Sequence, residues 1–419
     1  MPRLTLAAVA FAAQASCLTG CQPTAYLMST PLAMAVGKAN ASTVTGASDS
    51  RDLITLFYAT TRQPHGPAAS RRYGEDFGEE LRLGVATLRV DEGTATARET
   101  RALPPLSVQE RPTLELENLD EQAVVGTGAD LDFLSPEAAS FFAEVDDALS
   151  ASVDKDVFLY VHGGNNSVYR TAAQAAQYRQ FTGRGSVVVA FAWPTVDYYL
   201  SYATDVRNAK RSVPAFAQLI ELLARHTRAE HINILAHSAG VRIVSAALAA
   251  IGSAPAERER WHARMRLGEI YYAAADLEMK TFVRDLRDYV DLPLRVTLQA
   301  NRSDPVLAIL ALASGKSRAG RPNFNDLSDA ERALLREWVT ESRLDIVDVT
   351  SDRAGDPGGH VFWFERRWVS SDVLLEFTYH APPATRGLEA TRQDGLRRWV
   401  FPADYEQRAA TAAANLHLR

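Results

Sequence analysis

A serine becomes a nucleophile when a base takes its proton, and the base works when an acid fixes its tautomer. The stretch NILAHSAGVR, Asn233 to Arg242, offers the serine. Ser238 lies between a buried-looking run and a run with helical spacing, with Ala236 and Gly240 two places to either side. This is the pattern of a nucleophile elbow, a sharp strand-to-helix turn whose crowded backbone demands small residues at those two positions. A serine that only caps a helix fits the stretch equally well. The rest of the chain separates the two readings.

Upstream, YVHGGNN ends an apolar run in glycines. Such a loop lets backbone N–H groups face an oxyanion, and Gly164 and Ala239 are the expected donors; one donor is worth about 2.7–4 kcal/mol. The helix start after Ser238 adds the positive end of a dipole. Downstream, two carboxylates close strands: Asp276 ends YYAAAD and Asp304 ends LQANRSD. In a chain order of serine, acid, histidine, Asp304 is preferred because it ends the second strand after the elbow; Asp276 is the alternative. His360, in the glycine-rich loop DPGGHVFWF, is the expected base. His380 in TYHAPP is the fallback, and His417 sits near the terminus. His162 precedes the serine and reads as structural.

These residues need elements to hold them. LITLFYATTR, RLGVATLRV and TLELENL read as strands and make the N-terminal third mostly β. From Asp156 onward, β-branched runs alternate with helical periodicity: strands end near His162, Pro194, Ser238, Asp276, Asp304 and Ser351, with helices between most of them. Strands alternating with helices predict an α/β fold, a mostly parallel sheet covered by helices on both faces. Right-handed crossovers place the strand C-termini, and so the candidate residues, along one edge. The pattern predicts one domain over residues 51–419, with extra N-terminal strands. Tyr198, Tyr199 and Tyr202, after FAWP, are read either as acyl-pocket walls or as core aromatics.

The ordered set FYATTR, YVHGGNN, FAWP, AHSAG, AAADLEMKTF, ANRSDPVL and GGHVFWF resembles a family of poorly characterised bacterial alpha/beta hydrolases of esterase/lipase-like kind. The family pattern more often has Tyr-Ala-Thr-Asn-Arg, His-Gly-Phe-Asn-Asn and Ala-His-Ser-Met-Gly, and Ala236 is normal for it. The resemblance implies an alpha/beta-hydrolase fold with Ser238 as nucleophile. It matches the acid to either Asp276 or Asp304.

The chain begins with Arg3, an apolar run from Leu4 to Ala13 and then LTGC, ending at Cys21. Such a run is a secretory signal, too short for a permanent span. LTGC resembles the lipobox of bacterial lipoproteins, with acylation at Cys21. Residues 1–20 are expected to be the signal peptide and 21–50, rich in Ala, Ser, Thr and Gly, a flexible tether. An outer-membrane lipoprotein facing the periplasm is the first reading of location; cleavage after AQA, giving a soluble periplasmic protein, is the second.

Composition excludes some classes. A net charge of −6 argues against nucleic acid as a partner. The two cysteines, Cys17 and Cys21, leave no thiolate for the folded part, and no HExxH occurs. No metal or organic cofactor is expected. The expected chemistry is cleavage of a small-molecule or lipid carboxylic ester through an acyl-enzyme, on a membrane-anchored protein. Alternatives are an amidase or peptidase with the same triad, and a non-catalytic envelope binding lipoprotein that keeps a hydrolase shell.

Overall fold

The structure is a computed structural model and describes residues 24–36, 52–91, 110–196, 202–253, 264–350 and 359–417. Twelve strands form one sheet: β1 (Ala25–Tyr26), β2 (Leu53–His65), β3 (Arg72–Asp91), β4 (Thr113–Gly126), β5 (Val157–Val161), β6 (Val187–Ala192), β7 (Ile232–His237), β8 (Leu267–Ala273), β9 (Arg295–Ala300), β10 (Leu344–Asp348), β11 (Glu389–Gln393) and β12 (Leu396–Val400). Their order across the sheet is β1-β4-β3-β2-β6-β5-β7-β8-β9-β10-β12-β11. From β2 to β12 every neighbour pair is parallel. The strands β1, β4 and β3 at one edge and β11 at the other pair antiparallel. The expected mostly parallel sheet with added N-terminal strands is therefore what the chain builds.

Two helical layers cover it. One holds α2 (Pro136–Ala151), α4 (Tyr202–His226), α5 (Gly240–Gly252), α6 (Met279–Tyr289) and α8 (Asp329–Thr340). The other holds α1 (Leu32–Val36), α3 (Val168–Phe181), α10 (Arg367–Tyr379) and α11 (Tyr405–His417). Two short helices, α7 (Pro305–Ser314) and α9 (Phe362–Glu365), lie beyond the C-terminal ends of β9 and β10. The central strands are buried on both faces, so they read as continuous apolar runs. Their residues still divide by the period of two: Val157, Leu159 and Val161 join one core, Phe158 and Tyr160 the other.

The expected tether fails over residues 24–36. Leu27, Met28, Leu32 and Ala33 are buried against the second layer. Met28 N–H donates to Gln177 at 2.8 Å, and Arg367 Nε donates to Thr30 O at 2.8 Å. Composition hid this, because small polar residues surround a few apolar anchors. Residues 1–23 and 37–51, with the expected signal peptide and Cys21, lie outside the described residues.

Candidate active site

The strand β7 ends at His237, and Ser238 turns the chain with φ 51°, a left-handed conformation costly for a side-chain-bearing residue. Its backbone is tied on both sides: Ser238 N–H donates to Ala273 O at 2.9 Å, and Asp276 N–H donates to Ser238 O at 3.1 Å. Gly240 shows why size matters here. A Cβ at that position would stand 2.8 Å from Val161 O and closer still to His162 O. Ala236 meets no such limit, because its side chain joins the core.

Ser238 Oγ lies 2.7 Å from His360 Nε2, and His360 Nδ1 lies 2.7 Å from Asp304 Oδ2. A carboxylate on Nδ1 holds the proton there and leaves the Nε2 lone pair for the serine hydroxyl. Asp304 also caps α7, accepting from Leu307 N–H at 2.9 Å through its other oxygen. The cap sets the direction of the carboxylate.

The structure brings Asp304, not Asp276, to the histidine. Asp276 is spent elsewhere: Tyr202 O–H donates to its Oδ2 at 2.6 Å, and Arg242 and Arg318 each stand 3.3 Å from its Oδ1. Tyr202 is thus a polar partner; Tyr198 and Tyr199 lie outside the described residues. His380 stands at the opposite edge of the sheet, and the side chain of His417 is outside the described residues.

The glycine loop after β5 reaches the serine. A Cβ on Gly163 would stand 2.8 Å from Ser238 Cβ, so only glycine permits this approach. Gly164 is half-buried beside Asp205 Oδ2, and Ala239 is the N-cap of α5. Three motifs clamp this loop. Buried Arg62 donates to Asn166 O at 2.5 Å and to Thr195 Oγ1 at 3.2 Å. Asn166 Nδ2 donates back to Gly163 O at 3.4 Å. Trp193 Nε1 donates to His162 O at 2.7 Å, with the two rings stacked. Burial, with Arg62 nearby, holds His162 well below the usual histidine range, so it stays neutral.

Two further residues position His360. Asn301 Nδ2 donates to Gly359 O at 3.1 Å, and His237 Nε2 donates to His360 O at 2.9 Å. Burial, then the neighbouring His360, pushes His237 down to about 3, so it donates as a neutral ring. Neither role was read from the sequence, although Asn301 and His237 sit inside the ANRSD and AHSAG motifs. Among the described residues, one group could hold a metal ion: Asp156, His231 and His380.

A parallel sheet with an elbow serine at a strand end, and an aspartate–histidine pair from later loops, defines an alpha/beta hydrolase. The chain belongs to the family described as alpha/beta hydrolase of unknown function (DUF900), which matches residues 137–376. That span contains Ser238, Asp304 and His360 and leaves out β1 to β4. No curated protein matches the chain. Among solved structures it is similar to esterase B from Lactobacillus rhamnosis, described with a C4-C4 SN3 tributyrin phosphonate. The identity is 14% over 54% of this chain and 75% of that one, with a TM-score of 0.30.

Proposed function

We propose that this hydrolase is a serine esterase acting on carboxylic esters, with Ser238 as nucleophile, His360 as general base and acid, and Asp304 as the residue that orients His360. One observation carries the reading: the unbroken hydrogen-bonded chain from Ser238 Oγ through both nitrogens of His360 to Asp304. Ser238 Oγ attacks the ester carbonyl carbon as its proton passes to His360 Nε2. The N–H groups of Gly164 and Ala239 hold the oxyanion. The alcohol leaves with the proton from His360. Water then attacks the acyl-enzyme, gives a proton to His360 and releases the acid, and His360 returns that proton to Ser238. Asp304 stays ionised throughout.

The protein works from the cell envelope, anchored through acylated Cys21 at the outer membrane. The support is the arginine, apolar run and LTGC at the start of the chain. Labelling with a fluorophosphonate probe after cell fractionation tests both parts. Wild type should label in the membrane fraction and turn over short-chain esters. Ser238→Ala should take no label, and in Cys21→Ser the label should move to the soluble fraction. A wild type that neither labels nor hydrolyses esters rules out the catalytic reading.

A further inference from the structure

At the strand starts, opposite Ser238, a second group of ionisable side chains converges. Asp156 stands just before β5 and His231 just before β7. Glu269 lies inside β8, and His380 ends α10 in a left-handed turn with φ 48°. Asp156 receives both rings: its Oδ1 is 3.1 Å from His231 Nδ1, and its Oδ2 is 2.9 Å from His380 Nε2. One ligand atom from each of the three lies within 4.8 Å of the others. The two rings are 31% and 28% exposed, so the group opens to solvent on their side.

Behind the group the carboxylates are fixed. Asn233 Nδ2 donates to Asp156 Oδ2 at 2.9 Å, and His231 N–H donates to Oδ1 at 3.0 Å. Glu269 is fully buried, and neither of its oxygens makes a hydrogen bond. Its nearest cations are His380 Nδ1 at 3.3 Å and Arg295 Nε at 3.9 Å. A buried carboxylate behind one nitrogen of a histidine, with the other nitrogen facing a shared centre, is how metal-ligating imidazoles are oriented.

We propose that Asp156, His231 and His380 bind a divalent transition-metal ion, zinc foremost, with Glu269 orienting His380 and water completing the shell. Two imidazoles and a carboxylate suit zinc, and the solvent-facing side leaves room for a fourth ligand. Without metal, a proton takes the cation's place. Burial alone would lower His380, but the carboxylates of Asp156 and Glu269 raise it to about 10. The ion would tie the end of α10 to the starts of β5 and β7. The six residues of β7 separate it from Ser238 by about 20 Å, so it stands apart from the ester chemistry.

The test uses untagged full-length protein, stripped with a chelator and titrated with zinc chloride against a chromophoric chelator. The expected result is one zinc per chain, a raised melting temperature and ester turnover unchanged within about twofold. His231→Ala, at a part-exposed position, should weaken zinc at least tenfold, and Glu269→Gln by roughly 10–100-fold, as for other outer-shell partners. Should His231→Ala fail to fold, Asp156→Asn gives the same readout. The proposal is overturned if wild type binds no zinc saturably, or if binding is equal in the variants, which would leave the group as a proton-held ion cluster. Metal content is read independently of ester turnover, so this result stands apart from the esterase reading.

Discussion

In the proposed mechanism His360 serves Ser238 only in one tautomer, and the neighbours of the two aspartates set which of them reaches His360. Asp304 keeps one oxygen for Leu307 N–H and turns the other to His360. Asp276 instead pairs with two guanidinium groups, Arg242 and Arg318, deep beside the elbow. Asp304→Asn should therefore lower ester kcat by roughly 10⁴, through loss of the correct tautomer, with a small change in stability. Asp276→Asn should reverse the balance: a loss of about 3 kcal/mol in unfolding free energy, as when one partner of a buried ion pair is removed, and a much smaller loss of kcat. Turnover and urea unfolding of both variants decide it; a larger kcat loss in Asp276→Asn would sink the assignment. That Ser238, His360 and Asp304 converge was legible from residue type, strand ends and chain order. Arg62, Asn301 and His237 were not, because their work is hydrogen bonding to loops distant in sequence.

The elements differ in how plainly they announce themselves. Strands β5, β6 and β7 are buried on both faces, so their runs of Val, Ile, Leu and Phe stand out from any neighbour. The helix α10 does not, because its Asp372 and Glu376 are fully buried, both paired with buried Arg386. Its sequence looks too polar for a core helix until that arginine is brought near. The pair Arg397-Arg398 has the look of a charged surface in the sequence, yet Arg398 lies in the interior beside Asp348 and Gln393. The elbow has a sharper rule than small residues on both sides. The side chain at 236 points into a core that accepts a methyl group, whereas position 240 faces the backbone carbonyls at the end of β5. Gly240→Ala should thus force α5 away from β5 and cost about 1–3 kcal/mol, the range for overpacking. Melting temperature together with fluorophosphonate labelling measures it. A variant as stable as wild type and fully labelled would show that the helix has slack the packing does not suggest.

At the scale of the whole molecule, the sheet collects histidines at both edges and treats them oppositely. At the strand starts carboxylates surround His380. At the C-terminal edge His162 and His237 are buried and stay neutral. This second pair ties stability to acidity. A histidine in the unfolded chain titrates near 6.5, while folded His237 titrates at about 3, with His360 and Asp304 as its charged or titrating neighbours. Between those values the unfolded state binds the extra proton, so stability rises with pH through the window and is lost as pH falls below about 6.5. Each such group removes about 1.4 kcal/mol per pH unit, or about 2 kcal/mol at pH 5. Carboxylates elsewhere titrate over the same range, so the comparison must be differential. Wild type and His237→Asn, whose amide can still donate to the His360 carbonyl, should be unfolded in urea at pH 7 and pH 5. Wild type should lose about 2 kcal/mol more than the variant over that interval. Equal losses would mean that His237 is protonated in the folded protein, and that the edge carrying Ser238 admits water more freely than its packing implies.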